Sequence, residues 1–141
     1  MPATILIVED EEILRDLIAE EVRKRGYKVS LAANGKEGWQ QAQEVKPAMI
    51  LLDLLMPEMS GYDFLVKLRA DDELKTTPCI VISNSGQIDD LNRAYECGAD
   101  DVLIKADFNP DQVAAKIEGV LEARAKGKGE GATEETKPAA A

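Results

Sequence analysis

The sequence predicts an α/β fold in which helices cover both faces of a five-stranded parallel sheet. Two observations favour this fold: short apolar runs that end in polar residues, and intervening segments that repeat apolar residues at helical spacing. Parallel strands need crossover connections, which are usually helices. Five alternations of strand and helix therefore indicate a doubly wound sheet, for which we expect the strand order 2-1-3-4-5.

The predicted strands are short and mostly uninterrupted apolar runs, which is typical of strands buried on both faces. They comprise residues 5–8, 27–33, 49–52, 79–82 and 102–104. Polar side chains follow four of them, namely Glu9 and Asp10 after the first, Asp53 after the third, Ser83 after the fourth and Lys105 after the fifth. We therefore expect these side chains at one edge of the sheet.

Each predicted helix carries apolar residues that we expect on its inward side. These are Ile13, Leu14, Leu17, Ile18 and Val22; Trp39 and Ala42; Phe64, Leu65 and Leu68; Ile88, Leu91 and Tyr95; and Val113, Ile117, Val120 and Leu121. Gly26 stands at a helix C-cap, and Asn34 with Gly35 indicates a turn before a helix at 36–45. Asn109 and Pro110 are typical of an N-cap followed by the first helical residue.

The chain of 141 residues, 45% of them hydrophobic, is long enough for one domain. We expect that domain at residues 1–124, and a disordered tail or linker at 125–141, where apolar periodicity ends. No apolar run is long enough to cross a bilayer, and no signal-peptide pattern opens the chain. We therefore expect a cytoplasmic protein with no membrane partner and with Cys79 and Cys97 reduced.

Composition also excludes several function classes. The net charge of −10 argues against direct binding of nucleic acid, which depends on clustered Lys and Arg. The absence of histidine excludes Ser-His-Asp catalysis, imidazole metal sites and a phosphohistidine carrier. Any chemistry must therefore use carboxylates, hydroxyls, lysine and backbone groups.

Three carboxylates are predicted to share one pocket. Strands 1 and 3 are neighbours in the order 2-1-3-4-5, which brings together Glu9, Asp10 and Asp53 where open α/β sheets bind ligands. Such carboxylates repel one another unless a cation lies among them. Mg²⁺ prefers oxygen ligands and retains several waters, so it suits one or two direct carboxylates plus a phosphoryl oxygen.

Four stretches of the chain together resemble response regulator receiver domains, which have a flavodoxin-like (βα)5 fold. They are ILIVEDE at 5–11, LLDLLMP at 51–57 with Gly61, the strand from Pro78 to Ser83, and GADDVLIK at 98–105. The resemblance covers roughly residues 3–124, and motifs in this order and spacing are far more specific than any one alone.

The resemblance implies that Asp53 accepts a phosphoryl group from a phosphohistidine on a sensor histidine kinase or phosphotransfer protein. It implies direct Mg²⁺ ligation by Asp10, Asp53 and the backbone carbonyl of Leu55, with Glu9 binding through water. Such a phosphoacceptor domain is not an enzyme, because it assists only its own phosphorylation and dephosphorylation. It signals to a downstream protein, here unknown, through protein contacts.

The same resemblance implies that Lys105 neutralises one phosphoryl oxygen and that Ser83 donates a hydrogen bond to another. Pro57 and Gly61 shape the loop after Asp53. Glu11 and Glu12 lie close to the implied ligands, but acidic residues are common in a first helical turn, and we favour that interpretation.

Departures from the family pattern lead to three expectations. Ala106 replaces the usual Pro after the lysine, which favours a trans peptide. Leu55 cannot position water for hydrolysis, which predicts a long-lived phosphorylated state. Val102 replaces the usual aromatic residue of strand 5, so we expect the loop 84–87, which begins with an unusual Asn84, to carry the response rather than Tyr95.

Other interpretations remain open. A pseudo-receiver would bind partners without phosphorylation, although all five site positions are chemically competent. A flavodoxin-like electron carrier would need a phosphate cradle where residues 9–12 are acidic, and a dehalogenase-type phosphatase would need an acid in place of Leu55. We expect a stand-alone receiver in preference to a piece of a longer regulator.

Overall fold

The fold is a five-stranded parallel sheet with the strand order β2-β1-β3-β4-β5, which confirms the predicted class and order. The structure, a computed structural model, describes residues 3–56 and 58–126. The strands are β1 (Thr4–Val8), β2 (Lys28–Ala32), β3 (Met49–Asp53), β4 (Cys79–Ser83) and β5 (Asp101–Ile104).

Helices connect the strands in the predicted order. They are α1 (Glu12–Lys24), α2 (Gly35–Val45), α3 (Gly61–Ala70), α4 (Ile88–Glu96) and α5 (Pro110–Lys126), with one 3₁₀ turn at Lys105–Asp107. Helices α1 and α5 pack on one face of the sheet, and α2, α3 and α4 contribute to the core on the other face.

The core lies in two layers because successive strand residues point to opposite faces. In β1, Ile5 and Ile7 face the layer of α1 and α5, whereas Leu6 and Val8 face the layer of α2 and α3. The side chains of β3 and β4 alternate in the same way, and every residue of these two strands is buried. Burial on both faces explains why their sequences show continuous apolar runs.

The helix boundaries follow local capping chemistry. Gly26 has a φ of +96° just beyond α1, and the Asn109 side chain accepts a hydrogen bond from the Gln112 amide at the start of α5, as expected. Asn34, which we expected in a turn before the helix, is instead the N-cap of α2, since its Oδ1 accepts from the Glu37 amide at 2.8 Å. The helix therefore begins one residue earlier, at Gly35.

Part of the predicted inward stripe is wrong in α1 and α4. Ile13 and Leu17 of α1 are 78% and 45% exposed, and Ile88 of α4 is 66% exposed. Ile18 and Val22 of α1 are buried as expected. The apolar stripe of α1 is broader than the strip that the sheet and α5 cover, so the residues at its margin remain on the surface.

Two predictions concern residues outside the described ranges. Helix α5 continues through Lys126, past the expected domain end at residue 124. Residues 127–141, most of the predicted tail, and Pro57 lie outside the described residues. Within the described part of the chain, no helix is long and apolar enough to span a membrane.

Candidate functional site

The predicted site residues follow the carboxyl-terminal ends of four adjacent strands. Glu9 and Asp10 follow β1, Asp53 and Ser83 are the last residues of β3 and β4, and Lys105 follows β5. Glu9, Asp10 and Asp53 each place a carboxylate oxygen within 4.8 Å of the others. Two adjacent acidic residues and a third that is distant in sequence thus share one pocket.

Lys105 provides the positive charge that faces this acidic pocket. Its Nζ lies 3.1 Å from Glu9 Oε1, 3.5 Å from Asp53 Oδ2 and 3.7 Å from Glu11 Oε2. Burial alone would lower the pKa of Lys105, but attraction to Asp53 and Glu9 outweighs it and raises the pKa. Lys105 therefore stays an ammonium, and one cation faces several carboxylates.

The carboxylates differ in their exposure to solvent. Glu9 is fully buried and Asp53 is 3% exposed, whereas Asp10 is exposed at the mouth of the pocket. Burial, together with the neighbouring charge of Glu9, raises the pKa of Asp53 to about 8. Burial also raises the pKa of Glu9, against the opposing effects of the Glu11 amide and Lys105. Without further positive charge, the pocket therefore retains a proton near neutral pH.

The residues present fit a hard divalent cation. Within the described residues, the buried Oε1 of Glu9 has no well-directed hydrogen bond, although Lys105 Nζ lies 3.1 Å away. A buried carboxylate oxygen without a hydrogen bond is costly, and a cation ligated directly or through water would compensate it. Carboxylate oxygens are the donors that Mg²⁺ and Mn²⁺ accept, and the exposed Asp10 leaves the pocket open to water.

Backbone and side-chain hydrogen bonds hold Glu9 in place. Its amide donates to the Ala32 carbonyl at 3.0 Å, its Oε2 accepts from the Glu11 amide at 3.0 Å, and its carbonyl accepts from an Arg15 guanidinium nitrogen at 3.0 Å. Sequence reasoning did not identify Arg15. A basic residue in the first turns of a helix is unfavourable for the helix dipole, so the position of Arg15 indicates that its side chain makes a specific contact.

Glu11 has a second role besides the one we favoured from sequence. It precedes α1 at its N-cap position, where an acidic side chain suits the helix dipole. Its carboxylate also lies 3.7 Å from Lys105 Nζ, at the rim of the pocket. Glu11 therefore competes with Glu9 and Asp53 for the same ammonium group.

The loop after β3 closes back on Asp53. The Gly61 amide donates to the Leu54 carbonyl at 2.8 Å, and a Cβ at Gly61 would lie 2.7 Å from the Asp53 carbonyl oxygen. Only glycine permits this approach without displacement of the backbone. The Leu55 side chain is 63% exposed beside the pocket.

Ser83 and the residue after Lys105 complete the site. The Ser83 side chain is buried, and its Oγ accepts from the Ser85 amide at 3.0 Å, while Asn84 is exposed. Within the described residues no peptide bond is cis, so the bond between Lys105 and Ala106 is trans, as expected. The structure thus brings Glu9, Asp53 and Lys105 into contact and places Ser83 on the adjacent strand.

Comparison with known proteins points to one family. The sequence profile described as the response regulator receiver domain matches residues 5–118. The response regulator Rre1 of Synechocystis is 35% identical over 121 residues, which cover 85% of this chain and 52% of that protein. The chain spans about half the length of the curated relatives it matches.

Solved structures agree with that profile. The chemotaxis response regulator CheY4 of Vibrio cholerae has a TM-score of 0.79 and 28% identity, with 85% of this chain and 99% of that chain covered. The Mn²⁺-bound form of the response regulator Rcp1 has a TM-score of 0.71 and 26% identity over 84% of this chain and 91% of that chain. A structural relative is thus described with a divalent ion bound.

Proposed function

Because the chain belongs to the response regulator receiver domains of two-component signalling systems, we propose that it accepts a phosphoryl group on Asp53 in a Mg²⁺-dependent reaction. The observation that carries this proposal is the position of Asp53, which is buried beside two other acidic side chains and 3.5 Å from Lys105. Receiver domains act with histidine kinases and downstream proteins rather than as enzymes. The downstream partner here is a protein that contacts the phosphorylated domain.

The reaction is a nucleophilic displacement at phosphorus. A carboxylate oxygen of Asp53 attacks the phosphorus of a phosphohistidine, the new O–P bond forms as the P–N bond breaks, and the imidazole leaves with the electron pair. Lys105 Nζ, which now contacts Asp53, turns to the incoming phosphoryl oxygens. The Ser83 hydroxyl donates to another of these oxygens, so developing charge meets donors on two sides.

Asp10, Asp53 and the carbonyl of Leu55 are the groups that would hold Mg²⁺ directly, with Glu9 binding through water. A bound ion would supply the positive charge that the pocket lacks and would offset charge on the phosphoryl group. Asp53 must be unprotonated to attack, and its raised pKa opposes this in the metal-free protein. Cation binding therefore favours the nucleophilic form of Asp53.

The proposed phosphodonor is a sensor histidine kinase or a phosphotransfer protein. Exposed apolar side chains beside the acidic mouth, Ile13 and Leu17 on α1 and Leu55 after β3, provide a surface for such a protein to pack against. The net charge of −10 argues against nucleic acid as a direct partner of the chain.

A small phosphodonor tests the chemistry without the cognate kinase. With acetyl phosphate and Mg²⁺, we expect intact-mass analysis to detect one base-labile phosphoryl group on the full chain. Asp53→Asn should abolish the adduct, whereas Asp16→Asn, which changes an exposed carboxylate of α1, should keep it. Removal of divalent ions with EDTA should also prevent phosphorylation.

An equal yield of adduct on the Asp53→Asn variant would contradict the assignment of the phosphoacceptor. An equal yield in EDTA would contradict the metal requirement alone. The alternative function is a binding module that acts without phosphorylation. It would be favoured if one of the five site positions held a residue that lacks the chemical group needed there. The residues there, Glu9, Asp10, Asp53, Ser83 and Lys105, are all chemically competent.

A further inference from the structure

Helix α4 is attached to the sheet differently from its neighbour α3. Among the residues of α4, all of which the structure describes, Ala94 alone is buried, whereas α3 buries five residues. An open cleft of about 580 Å³ lies along the carboxyl-terminal half of α4, lined on the α4 side by Asn92, Tyr95 and Glu96. Few side chains of α4 are fully buried, so polar contacts contribute to its attachment. One set joins α4 to Tyr62 of α3, whose ring Arg93 covers and whose hydroxyl donates to the Asp90 carbonyl at 3.3 Å.

Hydrogen bonds join the carboxyl-terminal end of α4 to β5. The Tyr95 hydroxyl donates to Asp101 Oδ1 at 3.2 Å and accepts from the Val102 amide at the same distance. Lys116 Nζ of α5 lies 3.3 Å from the other oxygen of Asp101. Tyr95, Asp101 and Lys116, here called the Tyr95 clamp, thus connect α4, β5 and α5.

The Tyr95 hydroxyl is suited to remain a donor in this position. Burial and the charge of Asp101 raise the pKa of Tyr95, so the hydroxyl stays protonated at neutral pH. Val102 of β5 is partly buried and packs against the same core cluster as Ala94 of α4, but its side chain is smaller than an aromatic ring. The polar clamp therefore provides much of the attachment that a larger side chain on β5 would otherwise give.

The amino-terminal end of α4 is linked to the proposed phosphorylation site. The Ser85 amide donates to Ser83 Oγ at 3.0 Å, and the Ser85 hydroxyl donates to Asp90 Oδ2 in the first turn of α4 at 2.8 Å. The Ser83 hydroxyl also donates to the Ser85 carbonyl at 3.4 Å, and a phosphoryl group that recruits this hydroxyl as a donor must replace that bond. The helix thus has one end tied to the site and the other tied to the clamp.

We propose that the Tyr95 clamp holds α4 in the conformation of the unphosphorylated protein and that phosphorylation weakens this attachment through the chain from Ser83 to Ser85 and Asp90. This inference rests on the proposed function. The clamp stabilises one of two arrangements of α4, and a ligand that binds the other arrangement better must overcome that stabilisation. Removal of the Tyr95 hydroxyl ends its bonds to Asp101 and to the Val102 amide, but that amide also donates to Asp101 Oδ1 at 2.9 Å. The net loss of about one hydrogen bond should therefore change phosphoryl-mimic affinity about fivefold.

The first test removes one oxygen atom and leaves the ring of Tyr95 in place. In Tyr95→Phe, we expect hydrogen exchange of the Val102 amide and of α4 amides to become several-fold faster than in the wild type. The matched control, Tyr27→Phe, removes a hydroxyl from the layer of α1 and α5 on the other face of the sheet. Equal exchange rates for α4 in the two variants would overturn the proposal.

The second test uses beryllofluoride with Mg²⁺ as the phosphoryl mimic on the full chain. We expect Tyr95→Phe to reach half-saturation at a concentration about fivefold lower than wild type, and its free-state amide shifts in α4 to move toward those of the saturated protein. Equal or weaker binding than Tyr27→Phe would contradict the clamp. If the wild type binds no beryllofluoride, the proposed function fails, and the exchange rates still decide whether the clamp exists.

Asp101→Asn provides a second variant with a milder change. It keeps a carbonyl oxygen that can accept from Tyr95 and removes the ion pair with Lys116. If the clamp acts as a unit, the combined Tyr95→Phe and Asp101→Asn effects on beryllofluoride affinity are less than additive. Full additivity would show that the two contacts act independently and would overturn the clamp as a unit.

Discussion

The sheet has one edge at the amino-terminal ends of its strands and another at their carboxyl-terminal ends, and both carry partly buried charges. Among the described residues, opposite charges balance one another at the amino-terminal edge but not at the carboxyl-terminal edge. At the amino-terminal edge of β4 and β5, Arg69 forms an ion pair of 2.9 Å with Asp100 and also donates hydrogen bonds to the carbonyls of Lys75, Thr77 and Gly98. Asp100 also accepts from the Cys79 amide at 2.8 Å. At the other edge, the single ammonium of Lys105 faces Glu9, Asp53 and Glu11.

This difference separates a structural network from a functional one. A guanidinium whose donors all meet acceptors has no capacity left for a ligand, so the Arg69 network stabilises the two loops that it joins. An excess of buried carboxylates is costly and persists where a cation or a reacting group is to be bound. The contrast predicts that charge removal has opposite effects on stability at the two edges.

The largest effect is expected at the compensated edge. Arg69→Met should lower the free energy of unfolding by about 3 kcal/mol, because it removes the ion-pair partner of Asp100 and the donor to the carbonyls of Lys75, Thr77 and Gly98. Urea unfolding measures the change, and Arg23→Met, which alters an exposed arginine of α1, is the control. A loss no larger than that of the control would show that the Arg69 network contributes little to stability.

A change of opposite sign is expected at the uncompensated edge. The pKa of Asp53 is about 8 in the folded, metal-free protein, against about 3.9 for an unfolded aspartate. Between these values the folded state binds more protons than the unfolded state, so the wild-type free energy of unfolding falls as pH rises. Asp53→Asn should remove most of that decline and stabilise the metal-free protein at pH 8 by roughly 1 to 2 kcal/mol.

Urea titrations in EDTA at several pH values between 5 and 9 measure this effect, with Asp16→Asn as the matched control. At one hundred times its Kd, Mg²⁺ should stabilise the folded wild type by about 2.7 kcal/mol and so reverse the order of stability. A variant that is less stable than wild type in EDTA at pH 8 would show that Lys105 already compensates the pocket.

The smallest effect concerns a residue at the rim of the uncompensated edge. Leu55 is 63% exposed and has no side-chain polar atom, so it cannot orient a water toward a phosphoryl group on Asp53. Leu55→Asn should speed loss of the phosphoryl group about threefold to tenfold, equivalent to about 1 kcal/mol in the barrier. The rate of decay of the phosphorylated protein, followed by intact mass, measures the change, and Leu55→Ala controls for the loss of bulk. An unchanged or slower decay in Leu55→Asn would contradict this account.

The sequence predicted the fold and the clustering of the main candidate residues, because both depend on strong local patterns. Continuous apolar runs identified β1, β3 and β4, and the polar residues at their ends identified Glu9, Asp53 and Ser83. The strand order then placed those residues at one edge. These inferences need only strand burial and topology, which a single sequence can carry.

Features that depend on tertiary contact were not predictable in the same way. The contact of Arg15 with the Glu9 carbonyl depends on how α1 leaves the sheet, and exposure of Ile13 depends on how far α5 reaches across α1. The Tyr95 hydroxyl reaches the Val102 amide because α4 packs against the sheet with its last turn beside β5. Helical periodicity gives the direction of a side chain, whereas its partner is set by the packing of separate elements.

Asp10 lies exposed at the mouth of the acidic pocket, whereas Asp53 is largely buried. On the proposed function, a phosphodonor and a hydrolytic water must both reach Asp53, which is 3% exposed. Access to this one carboxylate would then govern both the onset of a signal and its loss. Substitutions of exposed residues near the pocket would therefore change both the delay and the duration of the response, and the buried core that builds the sheet need not change.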